Sequence, residues 1–358
     1  MTVNALAADL GRALSDGGAA ERARRSLREY IRMAWHVVEP STPYVHGWHI
    51  DAMCEHLEAV TAGEIRNLLI TVPPRHMKSL TVSVFWPTWE WLTHPERRWL
   101  FSSYALSLAI RDSLKCRRLI LSPWYQRHFG HVYALTDDQN AKLRFENDKT
   151  GYRLSTSVGG AATGEGGDRL VCDDPHNVRE ADSDVIRAAT LVWWDETMST
   201  RLNDPATGAR VIIGQRVHEN DLAGHVLEQG GYEHLCLPCE YEPTTYVTGI
   251  GWLDPRTEPG ELLWPQRVGQ EDIADLKVRL GSYGYAGQYQ QRPAPRRGGG
   301  LFARSDFRIV EAAPAHVQAR VRYWDKAATE GGGAYSAGVR MSRGYDGTFY
   351  VEDVVRGQ

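Results

Sequence analysis

The stretch LLITVPPRHMKSLTVSVFW, residues 68–86, decides the fold of this chain. An apolar run ends at two prolines, reaches Lys78-Ser79 and resumes as a mixed apolar segment. This outline is typical of a phosphate-binding loop between a buried strand and a helix, where the lysine neutralises phosphates and the hydroxyl helps to hold Mg²⁺. The usual pattern has glycines where this chain has Val72 and Met77. Because glycine only eases the tight wrapping, its loss leaves two readings open, a nucleotide site or an ordinary strand–turn–helix.

A second motif lies downstream in RLVCDDP, an apolar strand-like run that ends in Asp173-Asp174. Such an ending can place one carboxylate on Mg²⁺ and the next near an attacking water, and two buried like charges need a cation beside them. Asp-Asp-Pro is also a good turn sequence. The order of the two motifs, strand–Lys-Ser–helix and then strand–Asp-Asp, favours a nucleoside triphosphatase.

Composition narrows the class of protein. Hydrophobic residues make up 42% of the 358 residues and charged residues 24%, which is typical of an ordinary globular protein. No apolar run is long enough to span a bilayer, and the N-terminus lacks the pattern of a secretory signal. The formal net charge of −4 argues against coating nucleic acid by bulk charge, although a local basic track would suffice. Five scattered cysteines predict reduced thiols.

Strand-like and helix-like segments alternate along most of the chain. Two examples are RWLFSSY before LSLAIRDSLKCRRLILS, and ARVIIGQR before DLAGHVLEQ. AKLRFEND and GYRLSTSV predict an antiparallel pair joined by a polar turn. The alternation predicts an α/β fold with a mainly parallel sheet. RPAPRRGGG, residues 292–300, has the composition of a linker, and three further strand-like segments follow it.

Several stretches together resemble the large terminase subunit of tailed bacteriophages, the motor that packs DNA into preformed capsids. LLITVPPRHMKSLTVS resembles that family's proline-led Walker A loop, and GDRLVCDDPHNVREADS its Walker B segment. VIIGQRVHENDLAGHVLE resembles its coupling segment. Residues 262–302 resemble the junction between motor and nuclease, and RYWDKAAT the first strand of its RNase H-like nuclease. The resemblance runs from about Val37 to the end of the chain.

The resemblance implies an α/β P-loop NTPase domain with a mainly parallel sheet, followed by the beginning of an RNase H-like nuclease domain. On this basis we expect an N-terminal mobile segment and helix over 1–36 and an ATPase motor domain over 37–290. A linker over 291–304 and an incomplete nuclease domain over 305–358 would follow. The remaining nuclease carboxylates of the family come from later segments, beyond Gln358.

The resemblance also implies site residues. Lys78 and Ser79 match the phosphate and Mg²⁺ positions, Asp173 matches the metal carboxylate, and Asp174 takes the place of a catalytic acid that is usually Glu. Asp325 matches the first nuclease carboxylate, so the expected catalytic residues are Lys78, Asp174 and Asp325, and the expected metal ligands are Ser79, Asp173 and Asp325. Nucleotide contacts are expected from Pro74, Arg75, His76, Met77, Lys78, Ser79, Trp48, His49 and Arg216.

Some assignments stay open at this level. Trp48 could stack on a nucleotide base or could simply be a buried tryptophan. Gln215 departs from the family pattern in the coupling segment. The turn before Walker B carries Glu165 and then Arg169, so no arginine finger is assigned. Asp353 is interpreted as structural.

The implied function is an ATP-hydrolysing motor that moves double-stranded viral DNA into a procapsid, with an attached endonuclease that cuts the DNA. ATP and Mg²⁺ are the implied cofactors, with Mg²⁺ or Mn²⁺ for the nuclease. Implied partners are double-stranded DNA, the portal protein and the small terminase subunit, with a ring-shaped homo-oligomer during packaging and no membrane. The location would be the host cytoplasm, transiently at the portal. A non-hydrolysing nucleotide-dependent scaffold is the alternative, and a helicase-like repair ATPase is disfavoured.

Overall fold

The computed structural model describes residues 17–160, 164–293, 307–325 and 336–357. The chain divides into two compact units, Met1–Arg296 and Arg297–Gln358. Residues 1–16, most of the segment predicted to be mobile, lie outside the described residues, as do residues 294–304 of the predicted linker. No helix of the described residues is both long enough and apolar enough to cross a membrane.

The first unit is built on an eight-stranded sheet with the order β3-β4-β5-β2-β6-β7-β1-β8. The strands are β1 Asn67–Thr71, β2 Trp99–Ser103, β3 Leu135–Asn140, β4 Arg144–Asn147, β5 Tyr152–Ser157, β6 Arg169–Asp173, β7 Ala209–Gly214 and β8 Glu233–Cys236. All neighbours from β5 to β8 pair in parallel, whereas β4 pairs antiparallel with β3 and with β5. The predicted mainly parallel α/β fold and the predicted antiparallel pair are thus confirmed.

Helices cover the sheet. They are α1 Leu27–Val38, α2 Trp48–Ala62, α3 Trp86–Glu90, α4 Leu106–Ile120, α5 Pro123–Phe129, α6 Asp184–Val192, α7 Leu222–Gln229 and α8 Gln270–Gln288. Helix α2 is followed by Gly63, whose φ of 83° is the left-handed conformation that glycine adopts without strain. Ser183 caps the N-terminus of helix α6, and its hydroxyl accepts from the Ile186 amide.

The hydrophobic core of the first unit includes helix α1. Leu68 and Ile70 of β1 are fully buried, and helix α1 packs into the same core through a face that includes Leu27 and Ile31. The expected boundary after residue 36 falls inside α1. Helix α1 is therefore part of the first unit and not of a separate N-terminal segment.

The helix that follows the Lys78 loop accommodates Pro87 by an irregularity. A π-helical turn spans Leu80–Phe85, and α3 begins directly after it with Pro87 in its first turn. Proline has no N–H, so the carbonyl of Ser83 loses its usual helical donor. That carbonyl instead accepts from Arg153 Nη2 and Cys116 Sγ, each at 3.3 Å. Pro87 is thus accommodated by a change of helix type that leaves the helix continuous.

The second unit contains a three-stranded antiparallel sheet in the order β11-β10-β9. Its strands are β9 Ala319–Asp325, β10 Ser336–Arg343 and β11 Phe349–Gly357. They coincide with the three strand-like segments that the sequence shows after the linker.

Candidate active site

The candidate site lies at the carboxyl ends of three neighbouring parallel strands, β6, β7 and β1. Ligands of open parallel sheets bind at this edge, because the loops that leave the strands converge there. A cleft of about 1000 Å³ opens at this edge. Its lining includes Pro74, Arg75, Met77, Lys78, Ser79, Ser83, Arg111, Asp112, Arg153, Asp173, Asp174, Arg179, Gln215 and Arg267. The fold thus brings the two sequence motifs into one cleft.

The loop before Lys78 takes the shape of a phosphate-binding loop without its glycines. Arg75 and Met77 adopt φ values of 66° and 65°, the left-handed conformation that costs an L-residue about 1–2 kcal/mol. His76 between them is buried, and its Nδ1 lies 2.9 Å from the carbonyl oxygen of Pro74. Burial lowers the pKa of His76 to about 4, so its ring is neutral at pH 7. Met77 therefore holds the backbone conformation that a glycine would adopt freely.

Lys78 is held inside the cleft by two partners. Its Nζ lies 2.9 Å from Asp174 Oδ2 and donates to Gln215 Oε1 at 3.2 Å. Burial alone would lower the pKa of Lys78, but the charges of Asp174 and Asp173 outweigh that effect and raise it. The ammonium therefore stays charged, as a group that binds phosphate must.

Asp174 reaches Lys78 from a strained position. Its φ is 49°, again left-handed, and it faces the end of β7. A side-chain carbon on Gly214 would lie 3.1 Å from Asp174 Oδ1 and 3.5 Å from the Pro175 ring. Glycine at position 214 therefore leaves the room that the Asp174 carboxylate occupies.

Asp173 is bound by two hydroxyl groups one helical turn apart. Ser79 Oγ donates to Asp173 Oδ1 at 3.1 Å, and Ser83 Oγ donates to Asp173 Oδ2 at 2.8 Å. Burial and the negative charge of Asp174 raise the pKa of Asp173 to about 7. The positive charge of Lys78 opposes this shift but does not cancel it. The carboxyl is therefore partly protonated near neutral pH.

The Ser79–Asp173 pair fits a magnesium site. A hydroxyl and a carboxylate are the oxygen ligands that Mg²⁺ prefers, and this ion keeps several waters and substrate phosphates as its other ligands. No cluster of three or more His, Cys, Asp or Glu that could hold a metal occurs among the described residues. Ser79 and Asp173 thus offer two oxygen ligands for such an ion.

Four expected nucleotide contacts, His76, Trp48, His49 and Arg216, lie outside the cleft lining. Trp48 stacks on Trp252, with ring centroids 6.2 Å apart. His49 is fully buried, with its ring centroid 5.6 Å from that of His76. A nucleotide contact by Trp48 or His49 stays a prediction.

Arg216 is engaged with its own loop. Its Nε donates to Asp221 Oδ1 at 2.9 Å, and its Nη2 donates to the Glu219 carbonyl at 3.0 Å. Its backbone N–H donates to Gln291 Oε1 at 3.1 Å. Arg216 therefore orders the segment after Gln215, and a direct contact between Arg216 and a nucleotide also stays a prediction.

Other site residues escaped the sequence analysis. Ser83 could have been found, because it lies four residues after Ser79 and so on the same helix face. Arg153 could not, since it reaches the Ser83 carbonyl from β5, 70 residues away. Arg169, the first residue of β6, is 1% exposed and pairs with the fully buried Glu90 at 2.6 Å. A buried pair of this kind is structural and leaves Arg169 out of reach of the cleft.

Asp325 of the second unit is exposed at the end of β9. Asp353 pairs in register with Arg340, which also faces Arg322, and Asp353 forms an ion pair with Arg322. Asp325 lies three residues after Arg322, so it points to the opposite face of the sheet. Within the described strands, Asp353 is therefore no partner for Asp325 at a metal site, which supports its interpretation as structural.

The first unit thus has an α/β fold with a mainly parallel sheet, and a lysine, a hydroxyl and two adjacent carboxylates lie together in one cleft at its edge. No protein-family model matches the sequence, and no curated protein matches it significantly. The chain is similar to solved structures of large terminases.

One is the large terminase of a thermophilic bacteriophage in complex with ADP, at 9% identity and a TM-score of 0.40, covering 84% of this chain and 67% of that one. Another is the large terminase ATPase domain of Thermus phage P74-26, at 12% identity and a TM-score of 0.40, covering 71% of this chain and 95% of that one. The identities and the TM-scores of both comparisons are low. The chemistry of the cleft is therefore derived from the contacts of its own residues.

The left-handed conformation of Met77 predicts that glycine is tolerated at this position. We expect Met77→Gly to keep the affinity for ATP within about threefold of wild type, because the backbone loses strain while the phosphate-binding groups stay in place. Met77→Val should weaken binding at least tenfold, because a β-branched side chain is least tolerated at positive φ. Equilibrium titration with a fluorescent ATP analogue measures both. Equal loss of affinity in the two variants would contradict the conformational account.

The raised pKa of Asp173 predicts that Asp173→Asn stabilises the nucleotide-free protein in a pH-dependent way. Between the ordinary pKa of an aspartate and about 7 the folded state binds more protons than the unfolded state, so stability falls as the pH rises through this window. Asparagine removes that cost. We expect the melting temperature of Asp173→Asn to exceed that of wild type by several degrees at pH 8 and by little at pH 4. The same difference at both pH values would refute the raised pKa.

The isolation of Asp325 on its face of the described sheet predicts weak or no nuclease activity. A two-metal nuclease needs several carboxylates around its ions, and one carboxylate cannot hold both. We expect this 358-residue chain to leave supercoiled plasmid intact in Mg²⁺ or Mn²⁺, as judged by gel electrophoresis. Metal-dependent cutting that disappears on Asp325→Ala would show that a complete site already exists.

Proposed function

We propose that the chain is an ATP-hydrolysing motor of viral DNA packaging that moves double-stranded DNA into a procapsid, with an attached metal-dependent endonuclease. The observation that carries the ATPase part is the pair of contacts Lys78–Asp174 at 2.9 Å and Ser79–Asp173 at 3.1 Å at one sheet edge. A lysine and a hydroxyl of one loop thus meet two carboxylates of a neighbouring strand. This is the arrangement that binds phosphate and Mg²⁺ and also supplies a base for an attacking water.

In the proposed reaction each group has a separate role. Lys78 and the backbone of the loop bind the β- and γ-phosphates. Ser79 and Asp173 would hold Mg²⁺, which would offset the charge of the phosphates. Asp174 accepts a proton from the water that attacks the γ-phosphorus. Gln215 keeps Lys78 oriented and leads directly into the segment that Arg216 orders.

The motor part of the proposal rests on the resemblance of residues 262–302 and of the segment RYWDKAAT to large terminase subunits. The proposed partners follow from the same resemblance. These partners are double-stranded DNA, gripped through its phosphates without sequence preference, the portal protein and the small terminase subunit. Assembly into a ring at the portal, in the host cytoplasm, belongs to the same proposal.

One observation favours the alternative, a nucleotide-dependent scaffold that does not hydrolyse ATP. Asp174 is one methylene shorter than the glutamate usual at this position and is already paired with Lys78. A carboxylate that stays paired with an ammonium is a weaker proton acceptor, because the cation favours its charged form. Measuring turnover separates the two functions.

The test of the ATPase is phosphate release with and without double-stranded DNA, for wild type and for two variants. We expect Lys78→Ala to reduce turnover at least about 100-fold, as is usual on loss of a group that stabilises transition-state charge. Asp174→Asn should reduce kcat by a similar factor yet bind ATP at least as tightly as wild type, because Lys78 loses a competing partner. Lys149→Ala, an exposed lysine in a β-hairpin turn, is the matched control and should behave as wild type.

Full turnover by a folded Lys78→Ala protein would refute the site. Nucleotide binding by wild type without any phosphate release, with or without DNA, would establish the scaffold instead. If Asp174→Asn loses ATP affinity but retains kcat, Asp174 is the metal ligand and Asp173 is the base.

A further inference from the structure

Arg111 is a further basic residue of the cleft, and it follows β2, which lies on the other side of β6 from β1. Helix α4 begins directly after β2, and β2 pairs in parallel with β6, the strand that ends in Asp173. Arg111 in the second turn of α4 lines the cleft together with Lys78 and Asp173. Lys78, from the loop after β1, and Arg111, from the helix after β2, thus line one cleft with the carboxylates at the end of β6.

Arg111 is bound to its neighbour in sequence. Its Nε donates to Asp112 Oδ1 and its Nη2 to Asp112 Oδ2, both at 2.9 Å. The Asp112 side chain is 4% exposed, whereas that of Arg111 is 50% exposed. Within the part of the chain that the structure describes, Nη1 of Arg111 makes no hydrogen bond. The guanidinium therefore stands at the cleft surface with donors left for a ligand.

Arg111 interacts electrostatically with the other charged residues of the cleft. Its hydrogen bonds to Asp112 raise its pKa, and the charges of Asp173 and Asp174 raise it further. Conversely, the positive charge of Arg111 lowers the pKa of Lys78. Arg111, Asp173 and Asp174 line the same cleft, so the guanidinium shares it with the two carboxylates beside which Mg²⁺ and the γ-phosphate would sit.

Another arginine of the cleft is committed elsewhere. Arg153 is fully buried, donates to Ser155 Oγ at 2.7 Å and packs on the Phe101 ring at 4.0 Å. Its donors support the helix after the Lys78 loop. Arg111 is by contrast half exposed and held only by a side chain that could release it.

We propose that Arg111 is a catalytic residue of this chain that leaves Asp112 when nucleotide binds and donates hydrogen bonds to the γ-phosphate of the same chain in the transition state. This rests on the proposed ATPase function. In the step concerned, the water oxygen forms a bond to phosphorus, the bond from phosphorus to the ADP oxygen breaks, and the water proton passes to Asp174. Arg111 neither gives nor takes a proton; it stabilises the charge that develops on the phosphoryl oxygens.

The test is the affinity for a transition-state mimic, ADP with fluoroaluminate and Mg²⁺, compared with the affinity for MgADP alone. A group that acts only in the transition state affects the first and not the second. We expect Arg111→Ala to weaken binding of the mimic at least 30-fold, roughly the 2 kcal/mol of a charge-assisted hydrogen bond, and that of MgADP less than threefold. Arg118→Ala, an exposed arginine of the same helix, is the control and should change neither. Equal affinities of Arg111→Ala and wild type for the mimic would overturn the proposal.

A merely structural role of Arg111 would be to neutralise the buried Asp112, and a double variant distinguishes this. Arg111→Ala leaves a buried carboxylate unpaired, which can unfold a protein for reasons unrelated to catalysis. Adding Asp112→Asn removes that charge. If Arg111 is only structural, the double variant regains the affinity for the mimic. If it is catalytic, the double variant folds and stays weak, while Asp112→Asn alone binds the mimic at least as well as wild type.

Mixing variants tests whether Arg111 acts within its own chain. Turnover of Lys78→Ala and Arg111→Ala chains together should not exceed the sum of the two measured separately. A gain on mixing would assign the arginine to a neighbouring chain and overturn the proposal as stated. If wild type binds neither the mimic nor ATP, the ATPase function itself fails; if wild type binds both and Arg111→Ala does too, only the role of Arg111 fails.

Discussion

The candidate site depends on one ammonium group placed against two adjacent carboxylates. Asp173 and Asp174 end a buried strand, where two like charges side by side cannot both ionise without a cation. Lys78 supplies that cation at 2.9 Å from Asp174, and even so burial keeps the pKa of Asp173 near 7. The hydroxyls of Ser79 and Ser83 complete the arrangement by donating to Asp173. The charge state of each group depends on the others, so that removing one changes the charge state of the rest.

The same arrangement describes how the arrival of a magnesium nucleotide would change the site. A phosphate competes with Asp174 for Lys78, and the carboxylate that it displaces becomes free to accept a proton from water. Mg²⁺ competes with the proton on Asp173, since metal ligands must be deprotonated. Three of the five non-glycine residues with positive φ among the described residues, Arg75, Met77 and Asp174, line this cleft. Backbone strain is thus concentrated where the ligand would bind, as is common at functional sites.

The sequence predicts much of this arrangement because its signals are local. An apolar run followed by Lys78-Ser79, and another followed by Asp173-Asp174, identify two strands of one parallel sheet, and parallel strands bring their carboxyl ends together. Gly63 and Ser183 flank helix termini for similar local reasons, since glycine adopts a left-handed φ freely and a serine hydroxyl can accept from the first helical amides. The antiparallel pair β4–β5 followed from its polar turn.

What the sequence could not show depends on distant contacts. Helix α1 was assigned to an N-terminal segment because amphipathicity shows which face is buried but not against what. Arg216 matched a motif position, yet its guanidinium bonds to Asp221, a pairing that only the fold of that loop decides. The left-handed φ of Met77 is invisible in a residue type that seldom adopts it. Arg111 lay in a helix read only for its periodicity, and its place at the cleft follows from the strand order β5-β2-β6.

The most direct test of the account is the distance from Lys78 Nζ to Asp174 Oδ2 in a crystal structure with a non-hydrolysable ATP analogue and Mg²⁺. The account predicts that this distance, 2.9 Å without nucleotide, lengthens beyond hydrogen-bonding reach. The ammonium should turn to the β- and γ-phosphates, and the metal should lie on Asp173. An analogue bound in the cleft with the Lys78–Asp174 pair intact, or with its phosphates away from Lys78, would contradict it.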